Sequence, residues 1–219
     1  MLRNVTVRYG RRLALDSVSG EFAPGSLTAV VGANGAGKST LLAAIAGTVR
    51  PTGGSIERAP AQRLAYLPQR AFLDADFPLT VAELIMLGGW QEIGAFHAPG
   101  SVLRAKAIAA AATVGLTQRL RRRVGELSAG ELQRALFARL MMQDAAVVLL
   151  DEPFAAVDAA TTSMLLDLIG QWHCEGRTVV AVLHDLDLVR ARFPSTLVLA
   201  QRCIAWDATE LALREMAVR

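Results

Sequence analysis

An apolar stretch, Leu27-Thr-Ala-Val-Val31, runs directly into Gly32-Ala-Asn34-Gly35-Ala36-Gly37-Lys38-Ser39-Thr40, and from Lys38 to Ala46 the text reads as a helix. Few folds accept that succession. A strand with no polar face is buried on both sides, as in a parallel sheet, and glycines between such a strand and a helix let the backbone curl round an anion. The loop N–H groups and the positive end of the helix then point at a phosphate, Lys38 reaches its β/γ oxygens, and Ser39 can hold Mg²⁺. Lys38 and Lys106 are the only lysines beside 21 arginines, so a lysine here selects a compact ammonium over a planar fork. Gly32, Asn34, Gly35, Ala36, Gly37, Lys38, Ser39 and Thr40 are the expected nucleotide cradle.

The surrounding text is α/β. Leu2, Val5 and Val7, a short Arg/Gly turn and Ala14 to Phe22 predict an antiparallel β-pair. Strands are expected around Ser55 to Arg58 and Leu64 to Leu67, after a turn at Pro51-Thr-Gly-Gly54. Helices follow at Thr80 to Leu87, Ser101 to Val114 and Ser128 to Met142, each opening on a residue that can cap it. Strand Ala146 to Leu150, helix Ala159 to Cys174, strand Thr178 to Leu183, helix Leu186 to Arg192 and strands near Leu197 to Leu199 and Cys203 to Trp206 complete the chain. The fold class is therefore α/β, a mostly parallel core sheet with an antiparallel β subdomain and an inserted helical subdomain. The expected division gives residues 1–73 and 144–219 to the core and 74–143 to the helices.

Other elements must decide which phosphate chemistry the loop serves. A guanine reader of the Asn-Lys-x-Asp type is absent, since the only asparagines are Asn4 and Asn34. Val147-Val-Leu-Leu150-Asp151-Glu152-Pro153 is an apolar strand ending in two carboxylates, placing Asp151 for the Mg²⁺ shell and Glu152 for deprotonating a water. Read alone, it is equally a strand that stops at a polar turn. Leu127-Ser128-Ala129-Gly130-Glu131-Leu132-Gln133 reads as a capping box, and the same geometry makes a second phosphate-binding helix tip.

Gly32 to Ser39, Leu127 to Gln133 and Leu149 to Pro153, in this order and spacing, resemble the ATP-binding subunit of an ABC transporter over almost the whole chain. The resemblance implies a P-loop ATPase in which Ser128, Ala129, Gly130 and Glu131 form the signature loop that completes the ATP site of a second subunit. A two-fold homodimer would then enclose two ATP molecules. It implies further that Gln69 senses Mg²⁺ and water, that His184 touches the γ-phosphate, that Asp158 joins the two sites, and that Tyr9 stacks on adenine. Lys38, Gln69, Glu152 and His184 become the expected catalytic set, with Ser39, Gln69 and Asp151 at Mg²⁺. Without the resemblance, Gln69 is a turn residue, His184 a structural strand-end histidine, Asp158 a helix cap and Tyr9 a half-exposed strand residue. Two departures stand out: Ala129 replaces the commoner Gly, adding a methyl where phosphate approaches, and Glu131 stands where Gln is frequent.

Pro68-Gln-Arg70, Asp76-Phe-Pro-Leu-Thr-Val81 and His184-Asp-Leu-Asp-Leu188 are similar to the ATPase subunits of bacterial zinc, manganese or iron importers. Phe72, Phe77, Leu79, Met86 and Trp90, within Arg70 to Trp90, offer a groove for a helix of a membrane permease or pack inside the helical insertion. A periplasmic or extracellular metal-binding protein would belong to the same system. The metal would not touch this subunit, whose three histidines and two cysteines make no transport site. An exporter subunit, a non-transport ABC ATPase and a plain P-loop kinase are the competing readings.

Composition narrows the rest. With 219 residues and 53% apolar content the chain can bury a sizeable core, yet runs such as Leu41 to Gly47 fall short of the ~20 residues that span a bilayer. Charges break up the N-terminus, so no signal peptide is expected, and the expected location is cytoplasmic, on the inner face of the membrane through the permease. A net charge of +3 is no nucleic-acid footprint, and Arg119, Arg121, Arg122 and Arg123 read as a solvated turn. Cys174 and Cys203 lack metal-site spacing and read as reduced thiols.

Overall fold

The computed structural model describes residues 1–59, 62–69, 78–90 and 100–217. The chain forms two compact units: Met1–Gln69 with Ala146–Pro153 and Gln171–Arg219, and Arg70–Ala145 with Phe154–Gly170.

In the first unit, β1 (Leu2–Tyr9) and β2 (Arg12–Gly20) pair antiparallel, and β4 (Gly53–Ile56) joins the other edge of β1. Their alternation turns Leu2, Val5, Val7, Leu15 and Val18 inward. The larger sheet has the order β5 (Leu64–Leu67), β6 (Val147–Asp151), β7 (Thr178–Val182), β3 (Leu27–Val31), β8 (Ser195–Ala200), β9 (Arg202–Ala208). All its pairings are parallel except β8 with β9. Every residue of β3 and β7 is buried, as expected of strands covered on both faces. Leu41, Leu42 and Ile45 of α1 (Lys38–Ala46) share one core with the inner face of the small sheet and with Leu149, Val180 and Leu197.

Register decides what meets at the end of this sheet. Val30 and Asp151 both pair with Val182, and Leu67 pairs with Leu150. The residues that follow β3, β5, β6 and β7 therefore leave the sheet at one carboxyl edge, where α/β proteins bind ligands.

Two sequence expectations shift here. Gly53 and Gly54 already belong to β4, so the expected turn is shorter, and a C-terminal helix, α7 (Thr209–Ala217), follows β9. Only Thr209, Ala212 and Leu213 of α7 are buried, with Thr209 hydrogen-bonded to the buried Thr196 at 2.8 Å. α6 (Leu186–Arg192) is capped by Asp185, whose Oδ1 accepts from the N–H groups of Asp187 and Leu188.

In the second unit, α2 (Val81–Met86) and α3 (Ser101–Thr113) pack on α4 (Ala129–Met142). Thr80 and Glu83 form a capping box at α2 and Ser128 and Glu131 another at α4. Ser101 is not a cap: Gly100 holds that position and makes no side-chain bond. The second unit also takes residues 154–170, including most of α5 (Ala159–Cys174), which the sequence division gave to the core. There Thr161 Oγ1 and Asp158 Oδ2 lie 3.3 and 3.4 Å from where a Cβ on Gly130 would stand. Among the described residues no helix is long and apolar enough to cross a membrane.

Candidate functional site

The loop after β3 is built from close approaches. At Gly32, with φ 150°, an added Cβ would stand 2.1 Å from the Leu199 carbonyl oxygen, and at Gly37, with φ 95°, 2.4 Å from that of Ala14. Both collisions are with backbone, so only glycine fits. Lys38 follows as the first residue of α1; its ammonium is buried and donates to the carbonyls of Gly32 (2.8 Å) and Ala33 (3.0 Å). Burial pulls the Lys38 pKa down, against the opposing pull of Glu152 and then Asp151. The loop thus wraps a cation it can release to a more strongly accepting anion.

Two carboxylates end β6, and the structure treats them oppositely. Asp151 is buried and accepts from Ser39 Oγ at 3.0 Å. Burial raises its pKa; the Ser39 hydrogen bond and a backbone N–H from Gln69 work the other way, while neighbouring Glu152 adds to the rise. Glu152 has φ 50°, a left-handed conformation costly for a side-chain-bearing residue and common where a functional group is aimed. Its Oε2 accepts from Gln69 Nε2 at 2.8 Å, and its Oε1 lies 2.7 Å from His184 Nε2. Burial alone would raise the Glu152 pKa, but the His184 and Gln69 hydrogen bonds, with the charges of His184 and Lys38, hold it below the ordinary carboxylate range. Gln69 thereby bridges the pair, its main chain on Asp151 and its side chain on Glu152.

Lys38, Ser39, Gln69, Glu152 and His184 line a single cavity of about 590 Å³, together with Tyr9, Asn34, Gly35, Gly37 and Thr40, while Asp151 lies behind Ser39 and does not line it. That volume suits a small-molecule site. Tyr9, which lines the cavity, is 52% exposed. Gly32 and Ala36 belong to the loop but do not line the cavity. Arg12 and Ala14 also line the cavity and were not expected from sequence. The available signal was hairpin register, since Arg12 is the cross-strand partner of Tyr9. Tyr66 on β5 is held neutral, its pKa pushed up to about 12 by burial, then by Asp151 and Tyr9.

The groups at Ser39 and Asp151 are hard oxygens, one of them anionic and buried, as a Mg²⁺ ion prefers, whereas the Gln69 side chain is engaged by Glu152. No group of three or more His, Cys, Asp or Glu suited to a metal occurs among the described residues.

In the second unit, Ser128 Oγ accepts from the Glu131 N–H at 3.2 Å, and Glu131 Oε2 accepts from the Ser128 N–H at 3.0 Å. Glu131 Oε1 accepts from Arg119 Nε at 2.9 Å. The Ser128 backbone bond lowers the Glu131 pKa against burial, and Arg119 assists. Arg121, Arg122 and Arg123 are exposed, so the solvated turn holds for them and not for Arg119. Asp158 accepts from the N–H and hydroxyl of Thr161 at 2.8 and 3.0 Å, capping α5. Ala129 is exposed at the tip. Of the expected permease groove, Leu79, Met86 and the half-exposed Trp90 are described; Arg70, Phe72 and Phe77 lie outside the described residues.

A glycine-walled anion cradle at the carboxyl edge of a parallel sheet, with a buried lysine and paired carboxylates, defines a P-loop nucleotide-binding protein. The profile of the ABC transporter family matches residues 15–155. The chain is 34% identical to the manganese transport system ATP-binding protein MntB of Listeria monocytogenes, covering all of this chain and 93% of that protein. It is 36% identical to the zinc transport system ATP-binding protein TroB of Treponema pallidum, covering 99% of this chain and 84% of that one. A solved ABC transporter described as of metal-chelate type, in an inward-facing conformation, superposes with a TM-score of 0.85 at 30% identity, over 96% of this chain and 83% of that chain. The chain belongs to the ABC transporter family and has its ATPase fold.

Proposed function

We propose that the protein is the ATP-hydrolysing subunit of a membrane ABC transporter that imports a divalent metal, zinc or manganese, or iron. The observation that carries the hydrolytic part is Glu152, clamped between Gln69 and His184 in the cavity that Lys38 serves. The full-length likeness to manganese and zinc transport proteins supports the metal part.

In this reading Tyr9 stacks on the base, while the loop N–H groups, Lys38 and Thr40 receive the phosphates. Ser39, Asp151 and Gln69 would hold Mg²⁺, which supplies charge neutralisation at the β- and γ-oxygens. Glu152 takes a proton from the attacking water as oxygen bonds to the γ-phosphorus and the bond to the β-phosphate breaks. Gln69 and His184 orient that carboxylate, and His184 meets the γ-phosphate. Ser128 to Glu131 complete the ATP site of a second copy, with Asp158 beside them. ATP thereby favours a closed homodimer, and its differential affinity for that state drives a permease docked near Arg70 to Trp90 between conformations. A periplasmic or extracellular binding protein delivers the metal, and the subunit sits on the cytoplasmic face of the membrane.

The test is uptake into proteoliposomes holding the co-purified permease and supplied with the system's binding protein. ATP-dependent accumulation of ⁵⁴Mn²⁺, ⁶⁵Zn²⁺ or ⁵⁵Fe, abolished by Lys38→Ala, is expected. Absence of uptake for all three with intact ATP hydrolysis would exclude the metal assignment.

A further inference from the structure

Glu131 puts a carboxylate at a place where, on the reading above, the triphosphate of a second copy must come close. An uncompensated anion there would oppose the approach and cancel part of the positive end of α4. The surroundings supply a counter-charge. Arg119, at the end of the short 3-10 turn Thr117–Arg119, donates Nε to Glu131 Oε1 at 2.9 Å while the other oxygen stays on the Ser128 N–H at 3.0 Å. The pair is not freely solvated: the Glu131 side chain is 16% exposed and that of Arg119 39%. The backbone presenting Arg119 is fixed, its N–H on the Leu116 carbonyl and its carbonyl receiving the Arg122 N–H, each at 2.8 Å.

We propose that Arg119 is a positioning residue for the signature tip, neutralising Glu131 and holding its capping box so that the tip receives a nucleotide triphosphate as an uncharged donor-lined surface would. It acts through Glu131 and not by touching the nucleotide. Its contribution therefore depends on the negative charge at position 131. Arg121, Arg122 and Arg123 cannot replace it, because they are exposed on the turn that follows while Arg119 alone reaches the carboxylate among the described residues.

This inference rests on the ATP-closed dimer, and the experiment separates the two. In the Glu152→Gln protein, ATP is titrated and dimer formation is read by sedimentation velocity. Arg119→Gln is expected to raise the half-saturating ATP concentration about ten-fold, the order expected for unmasking one partly buried charge. Arg119→Lys is expected to recover most of that loss. With Glu131→Gln also present, Arg119→Gln is expected to shift the midpoint less than about two-fold. Equal shifts with and without the Glu131→Gln substitution, or no shift in either case, would overturn the role of Arg119 while leaving the dimer intact. A monomer at every ATP concentration in the parent and in Glu131→Gln would remove the dimer reading, and the inference with it.

Discussion

His184 Nε2 stands 2.7 Å from Glu152 Oε1, although the two residues end different strands and lie 32 positions apart. A carboxylate only accepts, so His184 meets it with Nε2 protonated. This contact, with Gln69 on the other oxygen, fixes both the direction and the charge of Glu152.

The first prediction concerns that charge. Glu152 has a depressed folded-state pKa, so its contribution to stability is present above the unfolded value and is lost as pH falls through the folded one. In a ¹³C-carboxyl NMR titration the Glu152 resonance should move at a pH below the ordinary glutamate value. His184→Ala should shift that midpoint upward, since the strongest opposition to burial has gone. An unchanged midpoint would deny the coupling.

Asp151 carries the opposite sign. Its folded pKa is raised, so ionisation opposes folding once pH exceeds the unfolded value, and fully so above the folded one. Asp151→Asn should therefore raise the Tm of the ligand-free protein at pH 7 to 8, with the gain shrinking as pH is lowered toward 4. The same variant should lose the extra stabilisation that Mg²⁺ adds to ATP. Differential scanning calorimetry with and without MgATP reads both effects.

The loop glycines are not equivalent. Gly32→Ala and Gly37→Ala drive a methyl into a backbone carbonyl and should cost roughly 2 to 4 kcal/mol in urea unfolding, with at least about ten-fold weaker nucleotide binding. At Gly35 the nearest atom to an added Cβ is the flexible end of Arg12 at 3.5 Å, so Gly35→Ala should cost only about 1 kcal/mol, from φ 79°. Equal costs at all three positions would contradict the packing described.

These differences show what local sequence can and cannot reveal. The succession β3, loop, α1 was legible because each part is a local constraint: a strand without a polar face, glycines where no side chain fits, then helix. Asp151 and Glu152 were legible as a strand end. Gln69 and His184 carried no local mark, since their meeting at Glu152 depends on the registers of β5 against β6 and β6 against β7. They were reached only through the family resemblance. Arg12 was missed because hairpin pairing brings it to the cavity. Arg119 was read with its neighbours as a solvated turn, because its partner lies 12 residues on. Helix α7, of which Thr209, Ala212 and Leu213 are buried, was not read from the sequence.

The central claim is that Glu152 is the base of an ATP hydrolase, and phosphate release under saturating MgATP tests it most directly. Glu152→Gln keeps the size of the side chain and one acceptor oxygen, and replaces the other, basic carboxylate oxygen with an uncharged amide that donates. The account predicts steady hydrolysis by the wild-type chain and a loss of about 10²- to 10³-fold in Glu152→Gln, with ATP affinity within about three-fold of wild type. Turnover in Glu152→Gln at the wild-type rate would contradict it.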